Sequence, residues 1–256
     1  MPLELVTVPC LSDNYAFLLH ETATGETALV DAPEVAPIRA ALDARGWRLS
    51  EIWITHHHDD HIQAVDELRK ATGARVAGHA KDAKRLPALD RELHDGETFD
   101  FAGHPVHVMD VSGHTIGHLA YHVPDAGAVF TADSLMALGC GRLFEGTAPV
   151  MWESLRKIAA LPPGTLVCSG HEYTGSNARF ALTIEPGNPA LISRVRDIET
   201  ARAEGRPTVP STLETELATN PFLRADLPEV QEALGMAGYA ASEVFAEIRL
   251  RKDRFS

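Results

Sequence analysis

The residues Thr55, His56, His57, His58, Asp59, Asp60 and His61 follow directly on the apolar run Ile52, Trp53, Ile54. Such a run reads as the end of a buried strand. An ordinary strand-to-helix connection has no use for four imidazoles and two carboxylates. In the frame His-x-His-x-Asp-His, one loop supplies three imidazoles and a carboxylate to a single place. Neutral imidazole and carboxylate suit zinc, iron and manganese alike, so the run reads as the first half of a dinuclear metal site.

Three later stretches complete the constellation. Ser112, Gly113, His114, Thr115 follows the strand-like run ending at Met109 and Asp110. Ala132, Asp133, Ser134 follows Val129, Phe130, Thr131, and Ser169, Gly170, His171, Glu172 follows Leu166, Val167, Cys168. Each puts a His or Asp where an apolar strand runs out, and loops at strand ends are where a rigid scaffold carries its chemistry. The expected assignment gives His56, His58 and His114 to one ion and Asp60, His61 and His171 to the other. Asp133 bridges the two, with room between them for a hydroxide. A metal lowers the pKa of bound water from 15.7 to about 7, so hydroxide is available at neutral pH. The net positive centre favours an oxyanion developing on an attacked carbonyl.

The chain has 13 histidines, and not all belong to this set. His20, His79, His94, His104, His107 and His122 read as ordinary polar residues. His57 and Asp59 fall between ligand positions and are expected to point away or to support the ligands. His118, one helical turn beyond His114, fits either a supporting or a purely structural role.

The apolar fraction of 45% and charged fraction of 23% over 256 residues are those of a globular protein with a substantial core. A formal charge of -13 opposes a partner bound through phosphates, so no nucleic acid is expected. Cys10, Cys140 and Cys168 are few, odd in number and without metal-type spacing, which predicts a reducing compartment. The start, Met1, Pro2, Leu3, Glu4, has no basic segment followed by an apolar one. No apolar run approaches the ~20 residues that span a bilayer. A cytoplasmic protein without a membrane partner is expected.

Short aliphatic or β-branched runs at 3–8, 15–19, 28–30, 52–55, 106–109, 119–123, 129–131 and 166–168 predict strands. Helical spacing marks 35–44, 62–71 and 149–160. Beyond His171 the pattern is helical throughout, at 178–184, 190–203, 213–219, 228–234 and 242–250. A strand-rich body over residues 1–170 followed by a small helical domain over 171–256 is the expected division.

At the seven positions His56, His58, Asp60, His61, His114, Asp133 and His171 the sequence resembles the metallo-β-lactamase superfamily. The resemblance implies an α+β fold, a four-layer αββα sandwich with the metals at one edge. Other stretches narrow it: Asp13, Asn14, Tyr15; the run from Cys140 through Arg142, Phe144 and Glu145 to Thr147; His171, Glu172, Tyr173, Thr174; Asn220, Pro221, Phe222; and the closing Arg249, Leu250, Arg251, Lys252, Asp253. These look like the glyoxalase II family, hydroxyacylglutathione hydrolases with the same body and a helical C-terminal domain. Family contacts to glutathione carry over to Arg142, Phe144, Tyr173, Arg249 and Lys252. The family commonly has Lys where Arg142 stands and Tyr where Phe144 stands; Phe144 therefore forgoes one hydrogen bond. Without the resemblance, Arg249 and Lys252 read as the solvated basic end of a helix.

The resemblance implies hydrolysis of S-D-lactoylglutathione, or a close 2-hydroxyacyl homologue, to glutathione and the hydroxy acid. Asp60 and Asp133 are the carboxylates at the reaction centre, two divalent transition metals, zinc before iron or manganese, are the cofactors, and a monomer suffices. Another dinuclear-metal hydrolase of the superfamily is the alternative on the same ligands. A nuclease of this fold would want the basic surface that the charge of -13 opposes. Two further rivals share the scaffold. Dioxygenation of glutathione persulfide at one iron predicts loss of Asp60 or His61 from the ligand set, and a non-catalytic redox module predicts carboxylate in place of His; the chain has neither feature.

Overall fold

In the computed structural model, which describes residues 3–255, strand β2 (Asn14–Glu21) is buried along its whole length. The period-2 alternation of a strand explains how one segment serves two cores. Tyr15, Phe17 and Leu19 point to one side, and Ala16 and Leu18 point to the other. β1 (Leu3–Cys10) pairs antiparallel with β2, and β3 (Glu26–Val30) follows by a second antiparallel pairing. β4 (Arg48–Trp53), β5 (Arg75–His79) and β6 (Arg91–Leu93) extend the sheet in parallel, in the order β1-β2-β3-β4-β5-β6. Helices α1 (Val35–Asp43) and α3 (Val65–Thr72) cover its outer face through Ile38, Leu42, Val65 and Leu68; α2 (Asp59–Ile62) is a single turn between them.

The second sheet contains β7 (Thr98–Phe101), β8 (His104–Asp110), β9 (Leu119–Val123) and β10 (Ala128–Ala132) in antiparallel order. A two-stranded hairpin, β11 (Leu135–Met136) with β12 (Gly139–Cys140), follows, and then helix α4 (Ala148–Ala159). β13 (Leu166–Ser169) adds in parallel to β10, and β14 (Ser211–Thr212) closes the edge. The sheets meet through Phe17, Trp53, Phe101, Tyr121 and Phe130, with Trp53 edge-on to Phe99 and Phe101. Burying each such aromatic contributes roughly 1.5–3 kcal/mol. Helices on both outer faces and two sheets between them make the four expected layers.

The C-terminal helices are α5 (Thr174–Ile184), α6 (Pro189–Ala203), α7 (Leu213–Thr219), α8 (Pro228–Ala233) and α9 (Ala241–Asp253). The residue pattern changes after His171, but the packing runs across that point. Phe180, Phe222, Phe245 and Ile248 share a core with Val129 and Val167 of the second sheet and with Met151 and Leu155 of α4. β14 lies beyond residue 171 and still pairs with β13. Met1, Pro2 and Ser256, which belong to the leader and boundary expectations, lie outside the described residues.

Two sequence expectations differ from the structure. The helix expected over 62–71 is broken at Gln63 and Ala64, because Ala64 N–H donates to Ala32 O (3.0 Å) and His61 O accepts Ala32 N–H (2.7 Å). The turn after β3 thus captures the chain and holds the short α2 under the ligand loop. Strands β5, β6 and β7 escape the apolar-run criterion because they are short and carry Arg, Gly, Glu or Asp within them.

Candidate metal centre

The ligand run leaves β4 at its C-terminal end and is fixed at once by a carboxylate. Thr55 donates to Asp31 through its N–H and its hydroxyl, each at 2.8 Å. Asp31 has a left-handed φ of 57°, a conformation that Asp tolerates better than most residues. The single turn of α2 then brings Asp60 and His61 back toward His56 and His58. His114 comes from the loop after β8, Asp133 from the end of β10, and His171 from the end of β13. All seven side chains predicted as ligands converge at this one edge of the sandwich.

Their donor atoms fall into two groups. His56 Nε2 lies 3.0 Å from His58 Nδ1, which lies 3.1 Å from His114 Nε2. His61 Nε2 and His171 Nε2 are 3.3 Å apart, and Asp60 Oδ2 is 3.7 and 3.4 Å from them. Asp133 lies between, its Oδ1 at 3.5 Å from His61 Nε2 and 3.3 Å from His171 Nε2, its Oδ2 at 3.5 Å from His114 Nε2. Ligands about 2.1 Å from a tetrahedral zinc would stand about 3.4 Å from one another, so these separations suit a shared ion. Asp133 Oδ1 is buried without a hydrogen-bond partner, as a carboxylate waiting on a cation would be. There is no room to spare. A Cβ on Gly170 would stand 2.6 Å from Asp133 Oδ1 and 2.8 Å from His61 Cε1.

What orients the imidazoles was not evident from the ligand motif. His61 Nδ1 is 2.8 Å from Asp31, His171 Nδ1 is 2.9 Å from Asp13, and His114 Nδ1 donates to Arg142 O at 2.9 Å. His56 Nδ1 is 3.0 Å from the Thr55 hydroxyl. With the outer nitrogen engaged, the inner one is turned to the centre, the usual supporting shell of a metal-binding His. Asn14 Nδ2 donates to Asp60 Oδ2 at 2.9 Å and fixes the carboxylate in the same way. An Asp closing an apolar strand run, as Asp31 does, is the signal that could have been followed.

The two halves differ electrostatically. Burial pushes His56, His58 and His114 below the ordinary histidine range, so all three are neutral donors near neutral pH. Burial also opposes charge on His61, but the carboxylates of Asp133, Asp31 and Asp60 outweigh it and push that imidazole up to about 9. Burial likewise opposes charge on Asp133, yet His61, His171 and His114 hold it well below the carboxylate range. A ring of carboxylates drawing positive charge to their centre suits divalent cations.

The remaining histidines divide as expected. His57 is turned outward, with Nδ1 3.2 Å from Asp82, and Asp59 is exposed. His118 is fully buried, stacked on His56 at 4.6 Å between centroids, and its thin polar surroundings push it down to about 3 through burial. It packs behind His56, one of the expected ligands. His20 stacks on Trp47, His79 meets Asp110, His104 meets Asp125, His107 meets Thr98 and lies near His122, and His94 is exposed.

A cavity of about 400 Å³ runs from His114 and Asp133 past Arg142, Phe144 and Tyr173 to Arg249 and Lys252. Tyr173 stacks on His171 at 4.7 Å. Arg249 is not the solvated helix end that its sequence context suggests: it is 5% exposed, donates to Cys140 O at 2.9 Å, pairs with Asp253 at 2.8 Å and lies over the Phe222 ring. Lys252 is half-buried between the Phe180 and Phe255 rings, with Ser176 Oγ at 3.3 Å. Burial and then Arg249, Arg179 and Arg142 push its ammonium down to about 8. Arg142 and Phe144 are exposed on the cavity rim, with Arg142 Nε 4.0 Å from Asp253.

Residues 13–171 match the model of the metallo-beta-lactamase superfamily, and residues 172–255 match the model of the hydroxyacylglutathione hydrolase C-terminus. A relative from Roseobacter denitrificans named hydroxyacylglutathione hydrolase is 67% identical over 255 residues, 100% of each chain. Among solved structures, ETHE1 from Myxococcus xanthus covers 100% of both chains at 22% identity with a TM-score of 0.66. TTHA1623, solved in a di-iron-bound form, covers 86% of this chain and 100% of its own at 25% identity with a TM-score of 0.62.

Proposed function

We propose, for a chain that belongs to the hydroxyacylglutathione hydrolase family of the metallo-β-lactamase superfamily, that the reaction runs in the cavity between the His/Asp cluster and the Arg249–Lys252 end. The enzyme is a thioester hydrolase, and S-D-lactoylglutathione, cleaved to glutathione and D-lactate, is the substrate this geometry serves best. The observation that carries the reading is the continuity of that cavity. One end offers metal donors for a small reacting group, and the other offers cations for an anionic peptide.

His56, His58 and His114 would hold one ion, and Asp60, His61 and His171 the other, with one oxygen of Asp133 toward each. Divalent ions there supply Lewis acidity and bring the pKa of water down to about 7. The donor set suits zinc, with iron and manganese as its competitors. Asp60, braced by Asn14, is placed to take up the proton of the attacking water. Burial pushes the Tyr173 phenol up to about 12, so it remains an O–H donor beside the cluster. The departing thiolate needs no dedicated acid, because a free thiol has a pKa of only about 8.5. Arg249, immobilised by Cys140 and Asp253, presents a fixed charge, and Lys252 a second one for the peptide carboxylate. Arg142 and Phe144 close the rim.

One chain supplies every group named, so a monomer is sufficient. Three free buried cysteines fit a reducing cytoplasm. Among the described residues, no helix is long and apolar enough to cross a membrane. The test is a comparison of S-D-lactoylglutathione with the same acyl group on a small thiol. Preference for the glutathione ester by at least about tenfold in kcat/KM, the equivalent of ~1.4 kcal/mol, is expected. Equal turnover of the two would contradict the assignment.

A further inference from the structure

Between β12 and α4 the chain crosses the rim of the cavity as a strap, residues 141–146, that carries Arg142 and Phe144. Both ends are wedged. A Cβ on Gly141 would come within 2.2 Å of Asp133 O, and one on Gly146 within 2.6 Å of Gly113 Cα. Backbone bonds run from Gly141 N–H to Asp133 O (2.9 Å), from Phe144 N–H to His114 O (3.2 Å) and from Gly146 N–H to Gly113 O (3.1 Å). Phe144 itself has little behind it: the side chain is 63% exposed and meets the edges of His58 and His114 at 5.6 and 5.2 Å. Where its ring stands is therefore decided by the strap backbone.

Glu145 anchors the middle of that strap. Its Oε2 accepts Ile116 N–H at 2.8 Å, and its two oxygens accept the Arg85 fork at 2.5 and 3.2 Å. Arg85 is gripped on its other side by Asp82 Oδ1, from Nε at 3.1 Å and Nη2 at 2.5 Å. Asp82 in turn is buried, 3.2 Å from His57 Nδ1, and packed where Gly117 leaves no room for a side chain. Four segments meet around the Asp82–Arg85–Glu145 cluster: the ligand run through His57, the loop after β5, the loop that carries His114 through Ile116 and Gly117, and the strap.

We propose that Arg85 is a positioning residue for substrate selection, its fork shared between Asp82 and Glu145 so that the strap holds Phe144 and Arg142 where the glutathione peptide enters. The role presupposes that the cavity receives a glutathione thioester. An isolated surface ion pair contributes little to stability, whereas a two-pronged Arg–carboxylate pair fixes orientation. Hydrogen bonding from Arg85 holds the Glu145 carboxyl down to about 2, so the latch is charged throughout the working range. Arg85 touches none of the seven expected ligands; its one neighbour in the ligand run is His57, whose Nε2 lies 3.3 Å from Nη1, so metal content is measured in every variant.

The test uses the metal-loaded protein and three variants, Arg85→Ala, Arg85→Lys and Glu145→Gln, each assayed with S-D-lactoylglutathione and with a small-thiol ester of the same acid. Arg85→Ala should raise KM for the glutathione ester about fivefold, less than the loss of a full charge-assisted hydrogen bond would give. Its kcat, metal content and activity on the small ester should stay at the parent values. Arg85→Lys should recover part of the KM, since an ammonium replaces the charge but not the fork. Glu145→Gln, which keeps the acceptor for Ile116, should show a smaller rise and serves if Arg85→Ala does not fold. Parent KM in both Arg85→Ala and Glu145→Gln, or equal losses on the two esters, would overturn the latch. A parent protein that turns over the small ester but shows no preference for the glutathione ester would instead overturn the reading of the cavity.

Discussion

The two ends of the cavity are built on different principles. At the metal end most donor groups are locked twice, by burial and by a partner on the atom facing away, as with His61 on Asp31 and His171 on Asp13. At the end proposed for the peptide only Arg249 has that treatment, while Lys252 is half-buried and Arg142, Phe144 and Tyr173 reach into solvent. The chemical step needs donor atoms held within tenths of an ångström, so scaffold stability is committed there. Recognition of a flexible peptide tolerates looser groups around one rigid anchor. Substitutions should therefore fail abruptly at one end and gradually at the other.

The largest effect is expected for Asp133→Ala. It removes the group facing both halves, so elemental analysis should find metal content and hydrolysis collapsing together, whereas His57→Ala should keep its metal. Equal metal loss in the two would show that the reading frame of the ligand run is wrong. Next comes Asp31→Ala, which leaves every donor atom in place. Loss of such a supporting carboxylate typically costs about 10–100-fold in metal affinity, and competition with a chromophoric chelator would measure it. If the affinity is unchanged, the second partner on His61 is ornamental and the contrast between the two ends weakens.

Effects at the peptide end should be smaller and confined to binding. Replacing Arg249 and Lys252 together by Ala should raise KM for the glutathione ester by at least about tenfold, or ~1.4 kcal/mol, while metal content and turnover of a small-thiol ester hold. Equal damage to both esters would mean that Arg249 acts through the fold alone. Lys252 also predicts a pH dependence. Because its ammonium is pushed down to about 8, the charge is present below that pH and lost above it. KM should then rise severalfold from about pH 7 to about pH 9, and Lys252→Arg, always charged, should flatten the profile. A slope that survives Lys252→Arg would assign it elsewhere. The smallest effect is Phe144→Tyr, which restores one exposed hydroxyl and should lower KM by about two- to fivefold, a solvent-weakened hydrogen bond.

The same contrast governs what could be read from the sequence. The seven donors are legible because four fall in one run and the others sit beside small residues at the ends of apolar strands. Their supporting partners are not, because Asp31 and Asp13 lie 30 and 158 positions from the histidines they orient. The layered body is legible from its apolar runs, yet β5 and β6 hide behind polar residues. The continuous packing of the C-terminal helices on the second sheet is visible only in three dimensions. Arg249 shows the limit most clearly. In a helix end with three basic residues, nothing local marks the one that is buried under Cys140 and Phe222.

That the cluster is a dinuclear catalytic centre is tested most directly by titrating metal-free protein with zinc while following hydrolysis of S-D-lactoylglutathione. Activity should be absent at the start, rise to a plateau at two ions per chain, and disappear when a chelator is added. Full hydrolysis by the metal-free protein, with no response to zinc or chelator, would contradict the account.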